Sequence, residues 1–256
     1  MQQPRPDQFL AEIRSSAGTL ADIVRTQSPD LPIATCPDWS LRELAAHLGR
    51  VHRWAAEIVR TRAAQRIPFD AVPDSQYPAV SQAAQAAWLT AGAERLIAAV
   101  TDAGAAEVWA FARMAPATFW ARRQAHETMV HRADAELAAG RGVVLDAALA
   151  ADGIDEWLWM LRGPRRQPPG TAALPPGAVL GLHAADDGCS TRDWLVSGSA
   201  DGITVRDGHG PADVTVAGPA GRLLLVLLRR LPSDEESVSV TGDPALLAGW
   251  MASTPF

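Results

Sequence analysis

A carboxylate and an imidazole one helical turn apart can close on a single cation. Glu127 and His131 stand at that spacing in the stretch RRQAHETMVHRADAE, residues 122–136. Four residues carry an α-helix about 40° past a full circle, so both side chains leave the same face, one turn above the other. His126 lies five residues from His131, about 140° around the helix. HETMVH is therefore not the HExxH pattern of zinc proteases. An i,i+4 pair of this kind also serves as an ordinary ion pair on a solvated face. His47 changes the weighting, because it sits one turn beyond Glu43 and Leu44, on the side of another helical stretch expected to pack inward. Together His47, Glu127 and His131 offer two imidazoles and one carboxylate. Three protein ligands with positions left over is the composition of a catalytic metal site, whereas structural zinc takes four. Zinc suits the set; nickel, cobalt and iron use the same donors. His52, five residues from His47, points about 140° away and reads as structural or as an outer support.

The elements that must position these side chains are mostly helices. Apolar residues recur at helical spacing over 7–26, and Pro29, Pro32 and Pro37 then break the chain. Ser40 followed by Glu43 is a capping box, with Trp39 and Leu44 placed to staple it, which predicts a helix over 41–61. A third helix is expected over 80–100. Trp109, Phe111, Pro116, Phe119 and Trp120 lead into a fourth over 118–139, closed by Gly140 and Gly142. Four such helices fit an up-down bundle, with a fifth over 145–161 trailing it.

The stretch GPRRQPPGTAALPPG, residues 163–177, holds five prolines and three glycines and reads as a linker. Beyond it the period turns to alternation. Short strands are expected at 179–183, 193–196, 203–206, 214–216 and 237–241, with helices over 221–230 and 243–251, the last opened by Asp243 and Pro244. The fold class expected is α plus α+β: a helical N-terminal domain over 1–162 and a small α+β domain over 178–256.

Bulk properties narrow the function. The chain has 256 residues, a net charge of −6 and no lysine, so all 23 positive charges are arginine. That bias fits the codons of a GC-rich genome. The mild acidity disfavours phosphate-backbone binding, so no nucleic-acid partner is expected. No apolar run reaches the roughly 18–20 residues of a membrane span, and the N-terminus lacks the apolar core of a signal peptide. Two distant cysteines, Cys36 and Cys189, make no disulfide framework. A cytoplasmic protein with no membrane partner is expected.

Three stretches carry a resemblance. TCPDWSLRELAAHLGRVHRWAAEI, VWAFARMAPATFWARRQAHETMVHRADAE, and ADVTVAGPAGRLLLVLLRR with SVTGDPALLAGW resemble the mycothiol-dependent maleylpyruvate isomerase family. The resemblance runs in order along nearly the whole chain. It implies a DinB-like four-helix domain holding a divalent metal, usually zinc, through two histidines and a glutamate. By position those are His47, Glu127 and His131. It also implies a C-terminal domain similar to sterol carrier proteins, with an arginine serving binding or activity, best matched by Arg230. Arg229 stands where the family more often has a small residue. Mycothiol is the implied thiol cosubstrate, alongside a small electrophilic, carboxylated substrate.

A thiol that meets an open metal position loses its proton readily, because the cation stabilises the thiolate. Its addition to an activated double bond leaves a single bond free to rotate, and elimination gives the other geometric isomer. Retention or exchange of the thiol would give a transferase instead. A non-catalytic metal- or ligand-binding protein on the same scaffold predicts bound metal without turnover. Among the remaining residues, Cys36 and Cys189 read as packing residues. Arg122 and Arg123 fit a substrate carboxylate or a solvated face. Asp134 fits a support for His131 or a surface contact. Trp54, Trp109, Trp120 and Trp157 read as core. Asp186 and Asp187 lack the spacing of a calcium loop.

Overall fold

The computed structural model describes residues 4–111, 113–162, 174–186, 191–199 and 202–254. Internal contacts divide the chain into two compact units, one over 4–143 and the other from 144 onward. Among the described residues, no helix is long and apolar enough to cross a membrane.

The N-terminal unit is built on four helices: α1 (Pro6–Thr26), α2 (Leu41–Arg60), α3 (Gln82–Ala103) and α4 (Thr118–Ala138). Helices α1 and α2 each pack against both α3 and α4. The expected capping box opens α2: the Ser40 N–H donates to Glu43 Oε2 at 2.9 Å. Leu44 and Leu48 on that helix are fully buried with Leu20, Ile23 and Leu89. Helix α3 starts two residues later than expected, with the Ser81 hydroxyl accepting from the Ala84 N–H.

Helices α2 and α3 approach closely because small residues line the seam. A Cβ on Gly49 would lie 2.0 Å from the Trp88 ring, and one on Gly92 would lie 2.4 Å from Arg53 Nη1. The Arg53 guanidinium fills the space, 3.8 Å from the Trp88 ring centroid. It donates to the carbonyls of Gly49 at 3.0 Å and Trp88 at 2.8 Å. Burial lowers its pKa to about 10, so the cation stays charged at neutral pH.

A short hairpin of β1 (Glu107–Ala110) and β2 (Arg113–Pro116) precedes α4, where the sequence suggested only a lead-in. The usual Asn-Gly turn signal is missing, and Phe111 instead takes a positive φ of 60°. Trp54, Trp109, Trp120 and Phe119 gather around it, and the buried Trp120 indole donates to the Trp109 carbonyl at 2.9 Å. Aromatic core supplies the reason for the hairpin, as expected for these tryptophans.

The second unit begins before the Pro/Gly stretch rather than after it. Helix α5 (Ala147–Leu161) does not trail the bundle but belongs here. Its Trp157 meets Trp250 edge-on at 5.7 Å, and its Asp155 accepts from Trp194 Nε1 at 2.6 Å and Arg192 Nη2 at 2.9 Å. Those residues lie on the sheet and on the last helix of the chain, so α5 shares their core. Residues 163–173 of the expected linker lie outside the described residues.

The sheet holds β3 (Val179–Ala184), β4 (Arg192–Ser199), β5 (Gly202–Asp207), β6 (Val214–Gly218) and β7 (Ser239–Gly242) in the order β5-β4-β3-β6-β7. Among the described residues of the sheet, only the β3–β6 pairing is parallel. Helices α6 (Ala220–Leu227) and α7 (Pro244–Ser253) complete the unit. The expected helix over 221–230 ends early because Arg229 adopts a left-handed φ of 60°. The Arg229 N–H bonds Val226 O and the Arg230 N–H bonds Leu225 O, a Schellman closure with arginine in the glycine position.

Gly49→Ala should lower the stability of the N-terminal unit by about 1–3 kcal/mol, since the added methyl must displace Trp88 from a packed seam. Urea unfolding followed by tryptophan fluorescence measures it; an unchanged midpoint would show that the seam can relax.

Candidate metal centre

Helix α2 presents His47 and helix α4 presents Glu127 and His131, and the three converge. His47 Nε2 lies 2.9 Å from Glu127 Oε1, and His131 Nε2 lies 3.5 Å from the same oxygen. One ligand atom from each residue lies within 4.8 Å of the other two, close enough to share one ion. The imidazoles meet edge-on with centroids 5.1 Å apart. Trp39, the residue before the capping box, covers both rings at 4.9 and 5.9 Å.

The surroundings decide the state of each donor. Burial alone would raise the Glu127 carboxyl, but the Arg123 guanidinium and the hydrogen bonds from His131 and His47 hold it well below the usual carboxylate range. Arg123, one turn before Glu127, contacts its other oxygen and is itself nearly covered. Burial opposes a charge on His131, yet Asp134, Cys36 and Glu127 together raise its pKa well above the ordinary value.

Asp134 is fully buried and lies 2.8 Å from His131 Nδ1. It also accepts from Thr35 Oγ1 at 2.6 Å and Cys36 Sγ at 3.4 Å. A carboxylate at Nδ1 fixes the tautomer that leaves the Nε2 lone pair for a cation. Of the two uses open to Asp134, the structure has the support. Cys36, His131 and Asp134 are also near enough to hold an ion. In the geometry present, however, those groups bond one another while Nε2 of His131 turns to the shared oxygen of Glu127.

The donor set fits a divalent metal. Two neutral-capable imidazole nitrogens and an ionised carboxylate oxygen suit zinc and its neighbours. A groove of about 650 Å³ leads from His47, walled by Trp39, Arg42, Arg50, Phe69 and Tyr77. None of these walls was picked out from the sequence for this purpose. A signal was present for Arg50, which stands three residues after His47 on the same capped helix.

Two family models match the chain. One, described as the mycothiol maleylpyruvate isomerase N-terminal domain, matches residues 9–136. The other, described as the MDMPI C-terminal domain, matches residues 148–249.

The chain belongs to the mycothiol maleylpyruvate isomerase family of enzymes.

Solved structures agree at the level of fold. A crystal structure of the mycothiol-dependent maleylpyruvate isomerase is 16% identical at a TM-score of 0.54, covering 94% of this chain and 96% of that one. A histidine-to-alanine variant of that isomerase gives 15% identity at a TM-score of 0.56, with the same coverage. No curated protein matches the sequence. The family-model boundary, like the contacts, places α5 in the C-terminal domain of this isomerase-family chain.

His126 is buried edge-on to Phe9 at 5.8 Å, away from the cluster, as its angular position requires. His52 is fully buried with Nε2 at 2.8 Å from Thr128 Oγ1 and is not among the converging donors. Arg123 serves Glu127 rather than a solvated face. Cys189 and Asp187 lie outside the described residues, and Asp186 accepts from the Ala220 N–H at the start of α6. In the second unit Arg230 is buried, donates to the Leu228 carbonyl at 2.8 Å and lines a groove of about 620 Å³ with Pro232, Val238 and Leu247. Arg229 instead reaches the Met251 and Thr254 carbonyls at the end of α7, a structural use of its guanidinium.

His52 generates a prediction on acid stability. Burial, with help from Arg53, lowers its pKa from 6.5 to about 3. Below pH 6.5 the unfolded chain gains a proton that the folded one refuses, so stability falls with pH through the window from about 6.5 to 3. The slope from this group approaches about 1.4 kcal/mol per pH unit. His52→Gln, in metal-stripped protein, should flatten the unfolding-midpoint profile between pH 6.5 and 4.5 relative to wild type. Parallel profiles would mean that His52 titrates normally.

Proposed function

We propose that this family member is a metal-dependent, mycothiol-dependent isomerase or S-transferase of the cytoplasm, acting on a small electrophilic, carboxylated substrate. The observation that carries it is the convergence of His47, Glu127 and His131 from two helices, with His47 lining an open groove. Those three residues would hold the ion, with zinc the best match to the donors. When bound, a divalent ion supplies Lewis acidity that lowers the pKa of a thiol into the neutral range.

The protein's own groups prepare that chemistry. Arg123 keeps Glu127 ionised, so the buried carboxylate stays a ligand rather than a neutral acid. Asp134 holds the Nδ1 side of His131, so the Nε2 side faces inward. Trp39 lies over both imidazoles and excludes water from that side. Arg42 and Arg50 set two guanidinium groups along the groove, where a substrate carboxylate gains charge-assisted hydrogen bonds. A thiol sulfur adding to the substrate's activated double bond turns it into a single bond, and loss of the thiol after rotation restores the bond in the other geometry. Arg230, on its own groove, is the residue we assign to an anionic part of the thiol or substrate, following the family resemblance.

His131→Ala should release the bound metal and lower thiol-dependent turnover of a maleylpyruvate-type electrophile by at least about 100-fold. Asp134→Asn should keep the fold and weaken metal affinity by about 10–100-fold, the usual effect of losing a ligand's hydrogen-bond partner. Elemental analysis and a mycothiol-dependent assay read both. Full metal content in His131→Ala, or turnover unaffected by added thiol, would refute the proposal.

A further inference from the structure

A second set of metal-type donors stands in the C-terminal unit, on residues that the proposed reaction does not use. His183 on β3 and Asp193 on β4 are direct cross-strand partners, and the His183 Nδ1 lies 2.5 Å from Asp193 Oδ1. Directly opposed residues on antiparallel strands keep their Cβ atoms about 4.5–5.5 Å apart, so the pair is set by the sheet register itself. His209 arrives from the connection between β5 and β6, with its Nδ1 at 3.6 Å from the same carboxylate oxygen. The two imidazole centroids are 6.2 Å apart, and one ligand atom from each of the three residues lies within 4.8 Å of the others.

The chain is shaped to bring His209 there. The Gly208 N–H, one residue earlier, bonds the backbone carbonyl of Asp193 at 3.0 Å, in a left-handed conformation (φ 114°) that suits glycine. The connection then lies across the outer face of the sheet. A Cβ on Gly210 would come 2.9 Å from Leu195, and one on Gly181 would come 3.2 Å from Ala212. Asp213 closes the segment, its N–H bonding Val179 O at 2.9 Å and its carboxylate accepting from the Val179 N–H at 2.8 Å. Both ends of the loop are therefore tied to the strands that carry His183 and Asp193.

We propose that His183, Asp193 and His209 form a second divalent-metal site, taking a borderline transition ion such as zinc, nickel, cobalt or copper(II). The donor type is right, since imidazoles with one carboxylate favour these ions over calcium or magnesium. The spacing is right as well. Ligands about 2.0–2.1 Å from a tetrahedral ion stand about 3.3 Å from one another. The observed 2.5 and 3.6 Å bracket that distance, so small side-chain rotations suffice. Three protein donors leave coordination open to water or to a donor from outside, and His209 is largely exposed on the open side. The ion would cross-link the β5–β6 connection to the middle of the sheet.

Metal-stripped full-length protein is titrated with cobalt(II), reading stoichiometry from visible absorption and by calorimetry. Wild type and the His209→Ala, His183→Ala and His131→Ala variants are compared. Two equivalents are expected for wild type, with one lost in His209→Ala and in His183→Ala and the other lost in His131→Ala. Because His209 is exposed, its variant should fold as wild type does, which circular dichroism checks. The readout is the difference between wild type and His209→Ala. One equivalent fewer supports this site even if the bundle proves to hold no metal, and an equal stoichiometry overturns it whatever the bundle holds.

Discussion

The N-terminal unit depends on keeping one largely covered carboxylate charged. Glu127 sits at the meeting of α2 and α4, where an uncompensated anion would cost several kcal/mol. Arg123 on one oxygen and two imidazoles on the other remove that cost. The compensation is positional. Arg123, Glu127 and His131 are spaced four apart on one helix face, so a single helical stretch supplies the anion, its cation and one of its imidazoles. His47 must then come from another helix in the correct register.

The rest of the unit fixes that register. The Ser40–Glu43 box starts α2 at a defined residue, and the glycine seam with Arg53 holds α2 against α3. The segment before the box turns back on itself, with Ile33 N–H bonded to Trp39 O and Pro32 bridged to Ser40. This fold lets Thr35 and Cys36 reach Asp134 while Trp39 lies over the two histidines. A helix start, a turn and a buried aspartate thereby act on the same imidazole. Coupling of this kind holds the His131 imidazole in one orientation beside Glu127 and His47.

The sequence made this centre legible because helices report their faces. Glu127 and His131 could be paired by angle and His126 excluded by the same angle, whereas His47 was placed by the inward side of its own helix and by the family resemblance. The capping box made the start of α2 readable to the residue. Groove walls such as Tyr77 and Phe69 were not readable, since their position depends on how a proline-containing connection folds over α2. The hairpin before α4 lacked a turn signal and was held together by aromatic packing that no local pattern reveals. The domain boundary was misplaced for a related reason. Prolines and glycines mark where the chain cannot be helical, whereas α5 is assigned by the tryptophans and Asp155 that it buries against later strands. His183 and Asp193 meet only through strand register, and His209 only through a loop, so their convergence also needed the fold.

The proposed ion among His47, Glu127 and His131 has room beside it for a thiol. X-ray absorption at the zinc edge of the His209→Ala protein, which leaves the bundle site alone, tests it most directly. Nitrogen and oxygen neighbours at about 2.0–2.2 Å with no sulfur are expected, and a new sulfur neighbour at about 2.3 Å once mycothiol is added. A sulfur neighbour before any thiol is added would place the ion on Cys36, His131 and Asp134 instead and contradict it.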